Sequence, residues 1–169
     1  MSERFVRLRK QAQRYIKESR QAIWNLRSSP PEHDFVAALR RVGDQTAGTG
    51  SEFALEIAGR PRELGFDVEQ QLVRIAHEAV ANAVRHGRAR RVEVGLEYQA
   101  DRLVLRVSDD GCGFVDNGQA GPDGHYGIVS MRERADGIDA SFALDSALGR
   151  GTRIAVVLPT ANESKSARR

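Results

Sequence analysis

Glu78, Asn82 and then Arg85 or His86 follow one another about one helical turn apart in the stretch LVRIAHEAVANAVRH, Leu72 to His86. That spacing puts a carboxylate, a carboxamide and a cation in a row on the polar face of a helix. A solvated polar stripe on an ordinary surface helix would use the same residues. Asn in mid-helix costs roughly 0.5 kcal/mol against Ala, which suggests that its oxygen has a use. A second group is Ser108-Asp109-Asp110-Gly111-Cys112-Gly113-Phe114. There the Asp109 carboxylate can accept a hydrogen bond from an amino group, while Gly111 and Gly113 let a flat ligand approach the backbone. The competing reading is a simple turn, since Asp and Gly crowd turns everywhere. A third group, Gly124-His125-Tyr126-Gly127, opens a helix whose free N–H groups make an anion site. Thr152 can serve the same pocket as Asp109 or merely cap a turn.

The elements that must position these groups are legible from periodicity. Leu72, Ile75, Ala76, Ala79, Val80, Ala83 and Val84 recur at three- and four-residue steps, so the central stretch is a helix with one apolar face, and Asp67 is its expected N-cap. Before it stand a basic first helix (Arg4 to Arg27), the break Ser28-Ser29-Pro30-Pro31, and a second helix from Phe35 to about Gln45 capped by Asp34. A polar loop, Gly43 to Gly50, then leads to a strand, Ser51 to Ala58. After it come two strands, Arg91 to Tyr98 and Leu103 to Val107, alternating as a hairpin with a turn at Gln99 to Arg102. Phe114 to Gly124 has almost nothing apolar and is expected to be mobile. A helix from Ile128 to about Asp136 and strands Ala140 to Asp145 and Arg153 to Leu158 complete the pattern, and Ala161 to Arg169 is a polar tail.

Composition narrows the class. The chain has 169 residues, 40% hydrophobic and 29% charged, the balance of a soluble globular domain. No run approaches the roughly 20 apolar residues of a membrane span, and the charged N-terminus shows no secretory h-region. A single cysteine, Cys112, excludes an internal disulfide framework and fits a reducing cytosol. The net charge of +3 permits an anionic ligand without demanding nucleic acid. The first helix's basic face (Arg4, Arg7, Arg9, Lys10, Arg14, Lys17, Arg20) carries few interleaved aromatics, so direct nucleic-acid binding is not expected. Its apolar stripe calls for a partner helix. Trp24 reads as a packing residue, His77 as a helix support and Cys112 as structural.

In order and spacing, HEAVANAVRHG resembles the N box, DDGCGF and GHYGIVSMRERA the two glycine boxes, and GRGT the last box of the GHKL ATP-binding domain of sensor histidine kinases. RIAHEAVANAVRHG with GIVSMRERA resembles the subgroup that works with NarL-type response regulators. QAIWNLRSSP followed by DFVAALRRV resembles the end of that subgroup's dimerisation helix. The resemblance implies a Bergerat fold, an α/β (α+β) two-layer sandwich with a mixed, mostly antiparallel sheet, plus an N-terminal helical segment. It implies ATP and Mg²⁺ as cofactors. Asn82 would ligate Mg²⁺, Glu78 would orient or activate the attacking group, and Arg85 and His86 would stand near the phosphates. Asp109 would bind the adenine amino group and Gly111 and Gly113 would wall the pocket. Gly124 and Gly127 would hinge a lid, with His125 and Ile128 beside them in the cofactor-binding set, and Thr152 would close the adenine end. Such a site supplies positioning and charge neutralisation for γ-phosphoryl transfer.

One departure matters. The phosphoacceptor histidine of such kinases has no counterpart among His33, His77, His86 and His125. The chain is therefore expected to be the catalytic piece of a longer kinase, unable to autophosphorylate alone. The expected division is 1–29 remnant of a dimerisation helix, 30–50 linker and short helix, 51–160 catalytic domain and 161–169 tail. Implied partners are a histidine-bearing dimerisation domain, a response regulator and a second copy joined through the N-terminal helix; the implied place is cytoplasmic, as part of a membrane-bound sensor or otherwise. Two alternatives are a stand-alone GHKL serine kinase of the anti-sigma type and a non-catalytic, ATP-switched interaction module.

Overall fold

A computed structural model describes residues 35–115 and 126–160. The first helix, the Asp34 cap, the loop from 116 through Gly124 and His125, and the tail from 161 lie outside the described residues.

Helix α1 (Phe35–Val42) buries Phe35, Leu39 and Val42, the stripe that the spacing predicts. The expected Gly43–Gly50 loop begins instead as a 3-10 turn, Gly43–Thr46, where the buried Thr46 hydroxyl donates to the Gly43 carbonyl at 2.8 Å. A glycine-rich composition rules out a stable α-helix there but not a tighter hydrogen-bonded turn.

Strand β1 (Glu52–Gly59) runs parallel to β2 (Arg91–Tyr98), and the connection is helix α2 (Phe66–Asn82). Parallel neighbours need a long crossover, and a helix is the usual one. β2 and β3 (Arg102–Asp109) form the expected antiparallel hairpin. The chain then makes a second crossover through helix α3 (Tyr126–Asp136) to β4 (Ser141–Ser146), and β5 (Thr152–Pro159) returns antiparallel between β4 and β3. The sheet order is β1-β2-β3-β5-β4, one parallel pair among antiparallel ones. This is the mixed, mostly antiparallel sheet that the resemblance implies.

One face of the sheet carries the helices. β2 alternates cleanly, with Val92, Val94, Leu96 and Tyr98 buried beneath α2 and Arg91 and Glu93 exposed. Leu103, Leu105 and Val107 of β3 and Ile154, Val156 and Leu158 of β5 extend the same layer. Leu72, Val73, Ile75, Ala76, Ala79 and Val80 of α2 fill it from above. Each large aliphatic side chain there contributes about 1.5–3 kcal/mol by burial. The opposite face bears ion pairs, among them Glu97 to Arg106 at 2.7 Å.

Two local expectations need correction. The N-cap of α2 is Gly65, with no side-chain cap, and Asp67 lies inside the first turn, where its charge still favours the helix dipole. The central helix also does not run unbroken to His86. It ends as an α-helix at Asn82 and continues as a wider π turn, Ala83–Gly87, closed by Arg88 in the left-handed region at φ 51°. A hydrophobic period of 3.6 cannot announce that extra residue in the last turn.

Candidate active site

The two crossovers leave a cleft between α2, α3 and the C-terminal end of β3. It encloses about 260 Å³. Val107, Leu144 and Ile154 form its floor, Ala79, Asn82, Ala83, His86 and Gly87 one wall, and Ile128 and Met131 of α3 the other. The turn after β3 closes the end with Cys112, Gly113 and Phe114, and Asp109 and Thr152 stand at the base. A mostly apolar slot with a few convergent polar groups is the usual form of a site for a small organic ligand.

Asp109 is the polar centre. It ends β3, opposite Val92 on one side and Thr152 on the other. Burial pushes its carboxyl above the usual carboxylate range, opposed by hydrogen bonds from the Gly111 N–H, 2.8 Å from Oδ1, and from Thr152. A half-buried carboxylate facing an apolar slot is a strong acceptor for an N–H donor.

Its neighbour Asp110 does different work. Its Oδ1 accepts the N–H groups of Arg90 at 2.7 Å and Arg91 at 2.9 Å, pinning the end of β3 to the start of β2. Those donors hold the Asp110 carboxyl below the usual range. Replacing it with Ala is expected to cost about 1 kcal/mol in urea unfolding, a surface-tempered value for two charge-assisted bonds. Because its folded pKa is depressed, this contribution is present above the usual carboxylate range and is lost as pH falls through the depressed value. A stability difference that stayed unchanged between neutral and strongly acidic pH would contradict the assignment.

The glycines serve close approach. A Cβ on Gly111 would lie 2.5 Å from the Gly87 carbonyl oxygen and 2.8 Å from Asp109 Oδ1, so the turn after β3 can meet the end of the π turn only without a side chain. That contact is held by the Cys112 N–H donating to the Gly87 carbonyl at 2.8 Å. Gly113, at φ 60°, sits against the carbonyls of Ala147 and Gly151. Gly127, buried at the start of α3, lies over Glu78 and Asn82: a Cβ there would overlap Glu78 Oε1 and come within 3.0 Å of Asn82 Nδ2. The N-terminus of α3 therefore sits on the two residues that the N box singles out.

The structure thus brings Asn82, His86, Asp109, Gly113, Ile128 and Thr152 to one cavity, with Gly111 behind Asp109 and Glu78 beside Asn82 under Gly127. Arg85 is not on the cavity wall and is exposed; the wide turn gives the lining position to His86. Gly124 and His125 lie outside the described residues. Gly87 and Gly151 fall inside the quoted motifs without a role of their own, Ser146 was not singled out, and Cys112, read as structural, lines the slot. The small residues around GRGT were the available signal for Gly151. Ser146 had none, being one polar residue at the end of a strand.

Mg²⁺ suits the donors present. The Asn82 amide lines the cavity with the Glu78 carboxylate beside it, a hard oxygen set of the kind that shares an ion with phosphates. Among the described residues no cluster of three or more His, Cys, Asp or Glu could hold a metal by itself. The protein would supply part of such an ion's shell and the phosphates the rest.

Comparison with known proteins agrees with this geometry. The family model for histidine kinase-, DNA gyrase B- and HSP90-like ATPases matches residues 67–162. The chain belongs to that ATPase family and carries its ATP-binding module. Among individual proteins it is 41% identical over 99 residues to the sensor protein VraS of Staphylococcus epidermidis and 42% identical over 96 residues to that of Staphylococcus haemolyticus. These matches take in 59% and 57% of this chain but only 28% and 27% of those relatives. The histidine kinase domain of a blue-light activated kinase from Erythrobacter litoralis superposes with a TM-score of 0.58 over 74% of this chain and 64% of that one, at 18% identity. That similarity shows the fold. No helix among the described residues is long and apolar enough to cross a membrane.

Proposed function

We propose that the chain is the catalytic module of a two-component sensor histidine kinase of the NarL-type subgroup, an ATP:protein-histidine phosphotransferase. It binds Mg-ATP and presents the γ-phosphate to a histidine that is none of the four in its own sequence. The observation that carries this reading is the placement of Asp109 and Thr152 at one end of a single apolar slot with Asn82 and His86 on its wall. A purine base seated against Asp109 would direct its phosphates along α2 toward Asn82, His86 and the N-terminus of α3.

In this reading Asp109 accepts the adenine amino group, Gly111 and Gly113 let the base reach the backbone, and Thr152 closes that end. Asn82 would hold Mg²⁺, which supplies charge neutralisation on the phosphates. Glu78 orients the attacking imidazole or takes up its proton. His86 and Arg85 serve the phosphates from the wall and from the rim. Gly127, with Gly124, His125 and Ile128, belongs to a lid over the triphosphate. Residues 51–160 form the catalytic domain, 30–50 a linker, 161–169 a tail, and 1–29 the end of a dimerisation helix through which two copies pair. The partners are then a histidine-bearing dimerisation domain and a response regulator at the cytoplasmic face, without direct nucleic-acid contact.

Calorimetric titration tests the site. Asn82→Ala is expected to weaken Mg-ATP binding by about tenfold or more while leaving adenosine binding within about twofold, because the lost ligand acts on the phosphates alone. Glu78→Gln is expected to bind Mg-ATP normally and to lose phosphoryl transfer to a supplied dimerisation domain. Wild-type chain incubated alone with γ-labelled ATP should carry no stable label on histidine. Label on any of its own four histidines, or equal loss of adenosine and Mg-ATP binding in Asn82→Ala, would refute the assignment.

A further inference from the structure

We propose that Ser146 is a positioning residue for base recognition, which aims the Thr152 hydroxyl at Asp109 and so sets the preference for a nucleotide with a 6-amino group. The inference rests on the reading of Asp109 as the base acceptor.

Ser146 ends β4, paired with Thr152 across the β4–β5 ladder. Its hydroxyl oxygen is 3.0 Å from the Phe114 N–H, 3.0 Å from the Gly151 carbonyl oxygen and 3.1 Å from Thr152 Oγ1. Donor counting leaves two arrangements. A hydroxyl has one proton to give and two lone pairs. The Phe114 N–H can only donate, so Ser146 accepts from it. Thr152 pairs with Asp109 across the β3–β5 ladder, and an ionised carboxylate can only accept, so in the first arrangement the Thr152 proton goes to Asp109. Thr152 then has only lone pairs left for Ser146, whose single proton is shared between Thr152 Oγ1 and the Gly151 carbonyl; in the second, Thr152 donates to Ser146, Ser146 gives its proton to the Gly151 carbonyl, and Asp109 loses the hydroxyl. The proposed arrangement is the first, in which Ser146 holds Thr152 as a donor toward Asp109. If Ser146 is removed, the Thr152 hydroxyl can turn and give its proton to the vacated Gly151 carbonyl.

The same oxygen ties together three segments that meet only in space: the turn after β3 through Phe114, the start of β5 through Gly151 and Thr152, and the end of β4. Phe114 lines the slot, and so does Thr152. The described chain continues only one residue past Phe114 before the glycine-rich stretch that precedes α3. Ser146 therefore acts on the acceptor through Thr152, without touching a ligand itself.

The test is a comparison of two nucleotides on the full chain. Affinities for Mg-ATP and for purine riboside triphosphate, which lacks the 6-amino group, are measured for wild type, Ser146→Ala, Ser146→Thr and Thr152→Val. Ser146→Ala is expected to weaken ATP about tenfold while changing the analogue by less than about twofold, since only the amino group uses the Asp109 acceptor. Ser146→Thr, which keeps a hydroxyl, should restore ATP affinity, and Thr152→Val should reproduce the amino-selective loss one bond further along. The acid limb of ATP binding should also move to higher pH in Ser146→Ala, because the carboxylate loses an oriented donor. Equal weakening of both nucleotides, or no weakening of either, would overturn the inference while leaving Asp109 as the base acceptor. Wild-type protein that binds both nucleotides equally would remove the adenine reading and this inference together.

Discussion

Asp109→Asn is expected to lose nucleotide and keep, or gain, stability. In the proposed reading the carboxylate is the acceptor for the base in an apolar slot, and replacing an ionic hydrogen bond there with an amide that leaves a partner badly matched costs about 2–3 kcal/mol, roughly 30- to 150-fold in affinity. The folded protein without nucleotide has the opposite interest. Burial raises the Asp109 pKa above the unfolded carboxylate value, so the folded state holds the proton more tightly than the unfolded chain. The stability this group contributes is complete below the unfolded value of about 3.9 and is lost as pH rises through the raised folded value. At neutral pH the ionised carboxylate is therefore a net cost, which Asn removes. Thermal unfolding at pH 7 should show the variant at or above the wild-type midpoint. Binding should follow the reverse course with pH, because only the ionised form accepts from an amino group: wild-type affinity for ATP falls as pH drops through the raised pKa, and the variant lacks that limb. A variant that unfolded well below wild type at pH 7 would show that Asp109 is held for architecture rather than for ligand.

Gly151→Ala should be among the most damaging single-methyl additions in the domain, and Gly149→Ala is its control. Both residues lie in the left-handed region, at φ 70° and 74°. They share the strain of about 1–2 kcal/mol that any side chain meets there. They differ in surroundings. A Cβ on Gly149 meets nothing within 4 Å, whereas one on Gly151 would overlap the Asp109 carbonyl and stand 3.2 Å from the Asp110 Cα. Those neighbours are backbone in a paired strand and cannot swing aside. Gly151→Ala is expected to cost about 3–4 kcal/mol in urea unfolding and to abolish ATP binding by displacing Asp109, while Gly149→Ala costs about 1 kcal/mol and binds normally. Similar losses in the two variants would mean that the β3–β5 approach is not as close as described. The steric argument concerns the Asp109 backbone and the titration argument its side chain, so the two experiments probe one position independently.

Much of this protein was legible before any coordinates. The alternation in Arg91–Tyr98 and the apolar stripe of Leu72 to Val84 determine a half-buried strand and an amphipathic helix, because burial on one side imposes a period of 2 or 3.6 on residue type. Asn82 stood out because an amide is costly in mid-helix, and Asp109, Gly111 and Gly113 because an acidic residue and two glycines follow directly on an alternating strand. The tertiary structure decided the rest. Val107, Met131, Leu144 and Ile154 line the slot, yet as types they are ordinary core residues, and only the packing of α2 and α3 on the sheet leaves them facing a cavity. The choice of His86 over Arg85 on the wall follows from a π turn whose extra residue leaves no mark on hydrophobic period. Thr152 and Ser146 gain their meaning from β5 being inserted between β3 and β4, which sets Asp109 opposite Thr152 and Thr152 opposite Ser146. Sequence patterns report what each segment buries; which segments share a hydrogen-bond ladder depends on long-range pairing, and it is that pairing which assembles the site.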